Sequence, residues 1–338
     1  MDKAIELDPN YAVAYSTRGI AKCEQHDYAG AILDYDKALE LDPAFVDAYC
    51  SRGLAKYYKQ DYEGAILDYD KAIELNPNYA EAYDNRGDAK YYKQDYTGSI
   101  LDYDKAIELD PTFVEAYNSR GLTKGELKDY TGATKDYDKV IELDPNFAMA
   151  YNIRGLIKFD KHDYAGAILD YDKSIYLIDN FVDSFYNRFI SKSLQKNYEE
   201  AIKDYDKVIE LEPSSAKAYN NRGQGKCRQK NYDEAIKDYD KAIELDPNTE
   251  KAYNNRGWVK CYQKNYEEAI KDYDKAIELD PNYANAYNNR ALAKYYKKDY
   301  LGAIKDYYKK IGLKLDNAWL LIQLQVIRLK IKLLSKII

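Results

Sequence analysis

Two histidines, two tryptophans, two methionines and four cysteines in 338 residues leave little material for metal or redox chemistry. Cys23, Cys50, Cys227 and Cys261 make no CxxC pair, so they read as free thiols in a reducing compartment. Cys227 and Cys261 stand one period apart on equivalent segments, about the 8–10 Å of helix packing, too far for a disulfide. His26 and His162 share a column that holds Gln60, Gln94 and Lys230 elsewhere, which marks a turn position. No glycine loop that would cradle a phosphate is present. The expectation is therefore no enzyme, no catalytic residue, no cofactor, no metal and no small-molecule substrate. Long apolar runs are missing too. The longest uncharged stretch of the C-terminal segment, residues 317–327, is too short to cross a bilayer. Met1-Asp2-Lys3 does not open a signal peptide, and the protein reads as cytoplasmic.

Phenylalanine is scarce at seven, yet tyrosine reaches 39. A tyrosine ring buries well while its hydroxyl still asks for a partner or water, which suits a thin architecture everywhere close to solvent. The net charge of −7 hides an asymmetry. Residues 1–181 hold 21 Lys or Arg against 35 Asp or Glu, whereas residues 182–338 hold 30 against 23. That division is either drift at solvated positions or a bipolar surface that orients a charged partner.

A period of 34 residues runs through almost the whole chain, from Pro9, Pro43, Pro77, Pro111 and Pro145 to Pro213, Pro247 and Pro281. Tyr28, Tyr62, Tyr96, Tyr130, Tyr164, Tyr198, Tyr232, Tyr266 and Tyr300 keep the same count. A fixed period of this size predicts stacked supersecondary units, each burying a face that its neighbour supplies. Within one unit, helical spacing of apolar residues predicts a helix over about 80–93 and another over about 96–108, ended by Asp110-Pro111. The short connection at Gln94-Asp95 makes the two antiparallel neighbours. Glycines recur at Gly19, Gly53, Gly87, Gly121, Gly155, Gly223 and Gly257, and small residues at Ala31, Ala65 and Ser99 onward. A mid-helix glycine costs about 1 kcal/mol relative to alanine, so its recurrence implies close approach of backbones. Tyr83 and Tyr103 supply facing knobs.

These columns, and residues 250–283 in particular (EKAYNNRGWVKCYQKNYEEAIKDYDKAIELDPNY), resemble the tetratricopeptide repeat. The resemblance implies an all-α, right-handed superhelical α-solenoid of helix-turn-helix hairpins. It divides the chain into a partial repeat at 1–11, nine repeats over 12–317, and a non-repeat hydrophobic and basic segment at 318–338. That last segment reads as a capping helix, a membrane-surface element or a frame-shifted gene end; it is the one place where a membrane contact is conceivable. Two strict columns depart from the common family pattern: Arg18, Arg52, Arg86 onward on first helices, and Asp34, Asp68, Asp102 onward on second helices. They predict a ladder of Arg–Asp pairs across the hairpins. The sixth unit breaks the pattern. Asp179 replaces the proline, Phe185 a tyrosine and Phe189 the glycine, so Phe189 is expected to wedge its hairpin open or force a shift.

In proteins of this family the first helices line a concave groove along which partners, often extended peptides, lie. Carried over, this implicates Asp47, Glu81, Asp84, Asp88 and Glu115, beside Tyr57, Tyr58, Tyr91 and Tyr92, in the N-terminal half. In the C-terminal half it implicates Lys217, Arg228, Lys251 and Trp258, with Asn220, Asn221, Asn254, Asn255, Asn288 and Asn289. Paired asparagines can hold an extended backbone, unless they simply belong to the repeat template. The lysine–asparagine clamp by which one family subtype takes chaperone C-termini does not assemble here. The reading is a non-catalytic scaffold for protein or peptide partners. Nucleic-acid binding by the basic half is disfavoured by the acidic balance, and a self-assembling array is a further alternative.

Overall fold

The computed structural model describes residues 1–310, and among them every regular element is a helix. The chain falls into two compact units, the second beginning at Asn180, next to the slot where Asp179 stands for the repeat proline. The first unit opens with α1 (Asp2–Leu7). Five hairpins follow: α2/α3 (Ala12–Glu24, Tyr28–Leu41), α4/α5 (Val46–Tyr58, Tyr62–Leu75), α6/α7 (Ala80–Tyr92, Tyr96–Leu109), α8/α9 (Val114–Glu126, Tyr130–Leu143) and α10/α11 (Ala148–Asp160, Tyr164–Leu177). The second unit has α12/α13 (Val182–Leu194, Tyr198–Leu211), α14/α15 (Ala216–Arg228, Tyr232–Leu245), α16/α17 (Glu250–Tyr262, Tyr266–Leu279) and α18/α19 (Ala284–Tyr296, Tyr300–Lys310). The segment at 318–338 lies outside the described residues.

Each first helix ends in the same hydrogen-bonded stop. In α6 the Gln94 N–H donates to Tyr91 O at 2.8 Å and Asp95 N–H to Lys90 O at 2.9 Å, the double closure of a Schellman turn. The turn needs one left-handed residue, and none of the nine is glycine. His26, Gln60, Gln94, Lys128, His162, Lys196, Lys230, Lys264 and Lys298 have φ between 60° and 71°. The two histidines are thus turn residues, each with Nδ1 3.0 Å from the hydroxyl of the tyrosine two positions on.

Second helices start in two ways. Asp27, Asp61, Asp95, Asp129, Asp163 and Asp299 accept from the backbone N–H of the glycine three residues later, at 2.9–3.0 Å. In α13, α15 and α17 the cap is Asn197, Asn231 or Asn265, with no side-chain cap bond. Glutamate there replaces the glycine, and Glu200, Glu234 and Glu268 pair with a lysine three residues on at 2.6 Å. These acids sit in the first turn, where the helix dipole favours negative charge.

The core is a row of tyrosines. Tyr35, Tyr69, Tyr103, Tyr137, Tyr171, Tyr205, Tyr239 and Tyr273 are among the most completely buried side chains of the described residues. The glycine column makes room for these rings rather than for a neighbouring backbone, which corrects the expectation from sequence. A Cβ on Gly87 would stand 2.6 Å from Tyr103 Cε1, and one on Gly155 equally close to Tyr171 Cε1. Nor does Phe189 behave as a bare wedge. Its ring meets Tyr205 edge-on at 4.2 Å between centroids, and both rings are buried. Room comes from the next hairpin, where Gly225 stands in a column that holds Ala89 and Val259 in other repeats. A Cβ on Gly225 would meet Phe189 Cε2 at 3.2 Å.

The Arg–Asp ladder is present in every described hairpin and reaches further than the spacing implied. Arg86 donates from Nε at 2.9 Å and Nη2 at 2.5 Å to the two oxygens of Asp102, a bidentate grip. Its remaining nitrogen, Nη1, donates to Asp70 of the preceding hairpin at 2.6 Å. Lys90 adds a further contact to Asp102 at 2.7 Å. Arg52, Arg120 and Arg154 repeat the arrangement in the first unit, as do Arg222, Arg256 and Arg290 in the second. The second-helix aspartates are only 2–4% exposed, so this pairing is what makes their burial tolerable. Each guanidinium also lies over an aromatic ring three residues earlier, as Arg86 lies 5.4 Å from the centre of Tyr83.

Candidate partner-binding face

Successive first helices touch one another: α4 with α6 and α6 with α8 in the first unit, α14 with α16 and α16 with α18 in the second. One face of each unit is therefore built of first helices. Residues 34 apart recur along it, and the first-turn column reads Asp47, Glu81 and Glu115 in the first unit but Lys217 and Lys251 in the second. All five of these side chains are exposed. Lys217 extends its ammonium over the Tyr186 ring, 4.8 Å from the centre. Beside the acidic column lies a cleft of about 540 Å³ lined by Tyr79, Glu81, Asp110, Phe113, Glu115, Asp144 and Phe147 among others.

Glu81, Asp84 and Asp88 share one face of α6 by helical spacing. Asp84 is nonetheless only 7% exposed, and its Oδ1 has no hydrogen-bond partner. Burial first, then the charges of Asp88, Glu115 and Glu81, push its carboxyl up to about 8. Asp88 is half-buried and better supplied. Tyr103 donates its hydroxyl to it at 2.7 Å, and the nearby Ser119 also favours its ionised form. Burial still raises its pKa against those two influences.

The structure corrects the role expected of the asparagines. Asn220 and Asn254 are 5% and 6% exposed, and they belong to an amide ladder between repeats. Asn289 Nδ2 donates to Asn254 Oδ1 at 2.9 Å, and Asn255 Nδ2 to Asn220 Oδ1 at 3.0 Å. Within each pair, Asn254 Nδ2 reaches Asn255 Oδ1 at 3.4 Å and Asn220 Nδ2 reaches Asn221 Oδ1 at 3.1 Å. Asn221 closes the series on the Tyr205 hydroxyl at 2.7 Å. These amides join hairpin to hairpin, so Asn220, Asn254 and the equally buried Asp84 are interior residues rather than an open peptide rail.

Tyr57 and Tyr91 are half-buried at the turn ends of their helices. Tyr57 meets Tyr62 and Tyr92 at 5.7 and 5.6 Å between centroids, and Tyr91 meets Tyr96 at 5.5 Å. They form an aromatic seam whose outer members, Tyr58 and Tyr92, are exposed. In the second unit Arg228, Trp258 and Asn288 are exposed, and Trp258 stacks on Tyr262 at 5.8 Å. Sequence reasoning missed the outer columns of the second helices. There Leu33, Leu67, Leu101 and Leu169 stand exposed in the first unit, where Lys203, Lys237 and Lys271 hold the same register in the second. The signal was in the periodic alignment itself. All four cysteines are free thiols. Among the described residues no helix is long and apolar enough to cross a membrane. Nor does any group of three or more His, Cys, Asp or Glu among them suit a metal ion.

Sequence models described as tetratricopeptide repeat match residues 214–282, 114–147 and 254–313. A further model, described as TPR repeat, matches 21–60, 53–91, 87–128 and 194–224. No curated protein matches the chain. Among solved structures, the C-terminal part of a TPR repeat-containing protein from Cytophaga hutchinsonii aligns with a TM-score of 0.62 at 18% identity, over 70% of this chain and 97% of that one. A tetratricopeptide repeat protein from Parabacteroides merdae aligns at 0.52 and 20% identity, over 73% and 98%. The pilF protein of Pseudomonas aeruginosa aligns at 0.54 and 19%, over 60% and 93%. At these identities the likeness is one of fold. The repeat columns, the helix hairpins and the matching sequence models agree, and the chain belongs to the tetratricopeptide-repeat family.

Proposed function

We propose that this protein is a non-catalytic, cytoplasmic interaction scaffold that binds segments of partner proteins along its first-helix faces. The observation that carries this reading is the charge-sorted first-turn column, acidic at Asp47, Glu81 and Glu115 and basic at Lys217 and Lys251, exposed on helices that pack side by side. The pairing ladder holds those helices in register, so the column is a fixed pattern that a partner can read. The test is affinity capture with the chain and with a variant carrying Glu81→Lys, Glu115→Lys, Lys217→Glu and Lys251→Glu, followed by titration of each captured protein in purified form. A protein that binds the unaltered chain and loses affinity for the variant supports the scaffold. Identical affinities for both chains would overturn the assignment to these faces.

A second reading, self-association, is favoured by the exposed Leu33, Leu67 and Leu101 column on the second helices. Sedimentation velocity across a concentration series decides it. A size that does not change with concentration removes self-association.

A further inference from the structure

Each core tyrosine is covered by the first helix that follows it. Tyr35 packs with Ala55, Tyr239 with Val259 and Tyr273 with Ala293. The eight rings from Tyr35 to Tyr273 are at most 1% exposed. The next ring of the column, Tyr307 on α19, is 37% exposed, although Ala303 and Ile304 one turn earlier are buried. Asn288 on α18 is exposed as well, where Asn220 and Asn254 of its column are interior. The far face of α18/α19 therefore has the make-up of a stacking face, and among the described residues no further helix lies on it.

The 34-residue count points to what covers this face. Carried on from α18, it reaches residues 318–330, thirteen residues like every other first helix. Ile327 falls in the column of Ala55, Val259 and Ala293, the residues that cover a tyrosine. Gln323 falls in the column of Asn255 and Asn289, whose amides donate to Asn220 and Asn254, and the acceptor column runs on to Asn288. The ionic link between hairpins gives a third sign. Arg256 donates Nη1 to Asp240, and Arg290 to Asp274, each sixteen positions earlier. The next pair at that spacing is Leu324 and Tyr308, so both partners have lost their charge together. Losing only one would have stranded the other, and a joint change is what facing residues require. We propose that residues 318–330 of this chain dock on the far face of α18/α19 in the register of a further first helix, with Ile327 over the Tyr307 ring. Leu320 is larger than the alanines of its column at 218, 252 and 286, so the segment stands further off than its predecessors. An isoleucine then reaches across at 327 where alanine suffices at 293. Docked there, the segment closes the face to a second copy and carries the first-turn column on from Lys251 and Asn285 to Trp319. The docking does not depend on the scaffold reading.

The experiment is amide hydrogen exchange on the full chain, read by mass spectrometry over α19, with Ile327→Asp and Val326→Asp as the variants. Val326 is one residue away and falls in the column of the exposed Leu54, Leu122 and Trp258, so it controls for the apolar character of the segment as a whole. Exchange in α19 is expected to be about tenfold or more faster in Ile327→Asp and unchanged in Val326→Asp, with α2/α3 unaffected in both. No change in either variant would overturn the proposal, because the segment would then not cover α19. Equal acceleration in both would also overturn it, since the segment would then lie there without register. So would protection of α19 in the unaltered chain that rises across a concentration series, which would make a second copy the occupant. Where circular dichroism shows that Ile327→Asp disturbs the fold as a whole, Ile327→Ala and Val326→Ala are read by the same criteria.

Discussion

Arg120 holds Asp136 with two nitrogens, Nε at 3.1 Å and Nη2 at 2.5 Å, and reaches back with Nη1 to Asp104 of the preceding hairpin at 2.6 Å. One side chain thus ties the two helices of its own hairpin and fastens that hairpin to its neighbour. Asp136 is 3% exposed, so removing the arginine strands a buried carboxylate that only Lys124, at 2.7 Å, still neutralises. Arg120→Ala is expected to cost about 3–5 kcal/mol by chemical denaturation. In a double-mutant cycle with Asp136→Asn the coupling energy is expected at about 1–3 kcal/mol. A coupling energy of zero would mean the two columns are independent.

Two glycine-to-alanine changes at different positions of neighbouring first helices are expected to have opposite signs. At Gly87 the new methyl would stand 2.6 Å from Tyr103 Cε1, and the ring has no free direction because it is buried. Overpacking of this kind costs about 1–3 kcal/mol and exceeds the gain in helix propensity. At Gly125 a Cβ meets nothing within 4 Å, so only the propensity gain of about 0.5–1 kcal/mol remains. Thermal melts of Gly87→Ala and Gly125→Ala should move down and up respectively. Parallel shifts would show that the glycine column is not a ring socket.

Gln94 has φ of 64° at the Schellman turn that ends α6. A left-handed conformation costs a residue with a Cβ about 1–2 kcal/mol that glycine does not incur. Gln94→Gly is expected to raise stability by about 0.5–1 kcal/mol after the greater backbone entropy of glycine is set against it. The same change at Lys128 or Lys230, with φ of 62° and 65°, should behave alike. A loss of stability at all three turns would contradict the turn assignment.

The buried carboxyl of Asp84 sets a pH dependence of unusual sign. Its ordinary value is 3.8 and its folded value is pushed up to about 8, by burial first and then by Asp88, Glu115 and Glu81. Between those values the folded chain binds more protons at this site than the unfolded chain, so its contribution to stability falls as pH rises. The slope approaches about 1.4 kcal/mol per pH unit for one proton and flattens above pH 8. Asp84→Asn, which puts at this position the residue found in the same register at 118, 152, 220 and 254, should remove that slope. Denaturation midpoints at pH 5, 6, 7 and 8 for both chains measure it. Equal slopes would show that Asp84 is ionised throughout.

Much of this could be read from the chain alone, because a 34-residue period constrains every copy at once. Tyr103 and Ser99 recur as their counterparts do at 137 and 133, so an accident in one repeat is averaged out by the rest. The Arg–Asp ladder was legible for the same reason. Two strictly kept columns of opposite charge on antiparallel helices leave few places for each to go. The asparagines were not legible in this way. Whether Asn254 faces a partner or the neighbouring helix depends on a rotation of the helix by a fraction of a turn, which composition does not reveal.

The sequence by itself determined the hairpin, its boundaries, the chemistry of the first-turn column and the family. Local rules suffice for these: apolar spacing, proline stops, and a repeat that must stack to bury its face. Only the tertiary structure decided which polar groups are satisfied. It showed that Gly87 receives a tyrosine ring, that Gly225 yields space to Phe189, and that Asp84 and Asn118 are left without donors while Asn220 and Asn254 are not. Those facts depend on distances of a few tenths of an ångström between residues 16 to 36 positions apart, and such distances exist only once the helices have packed.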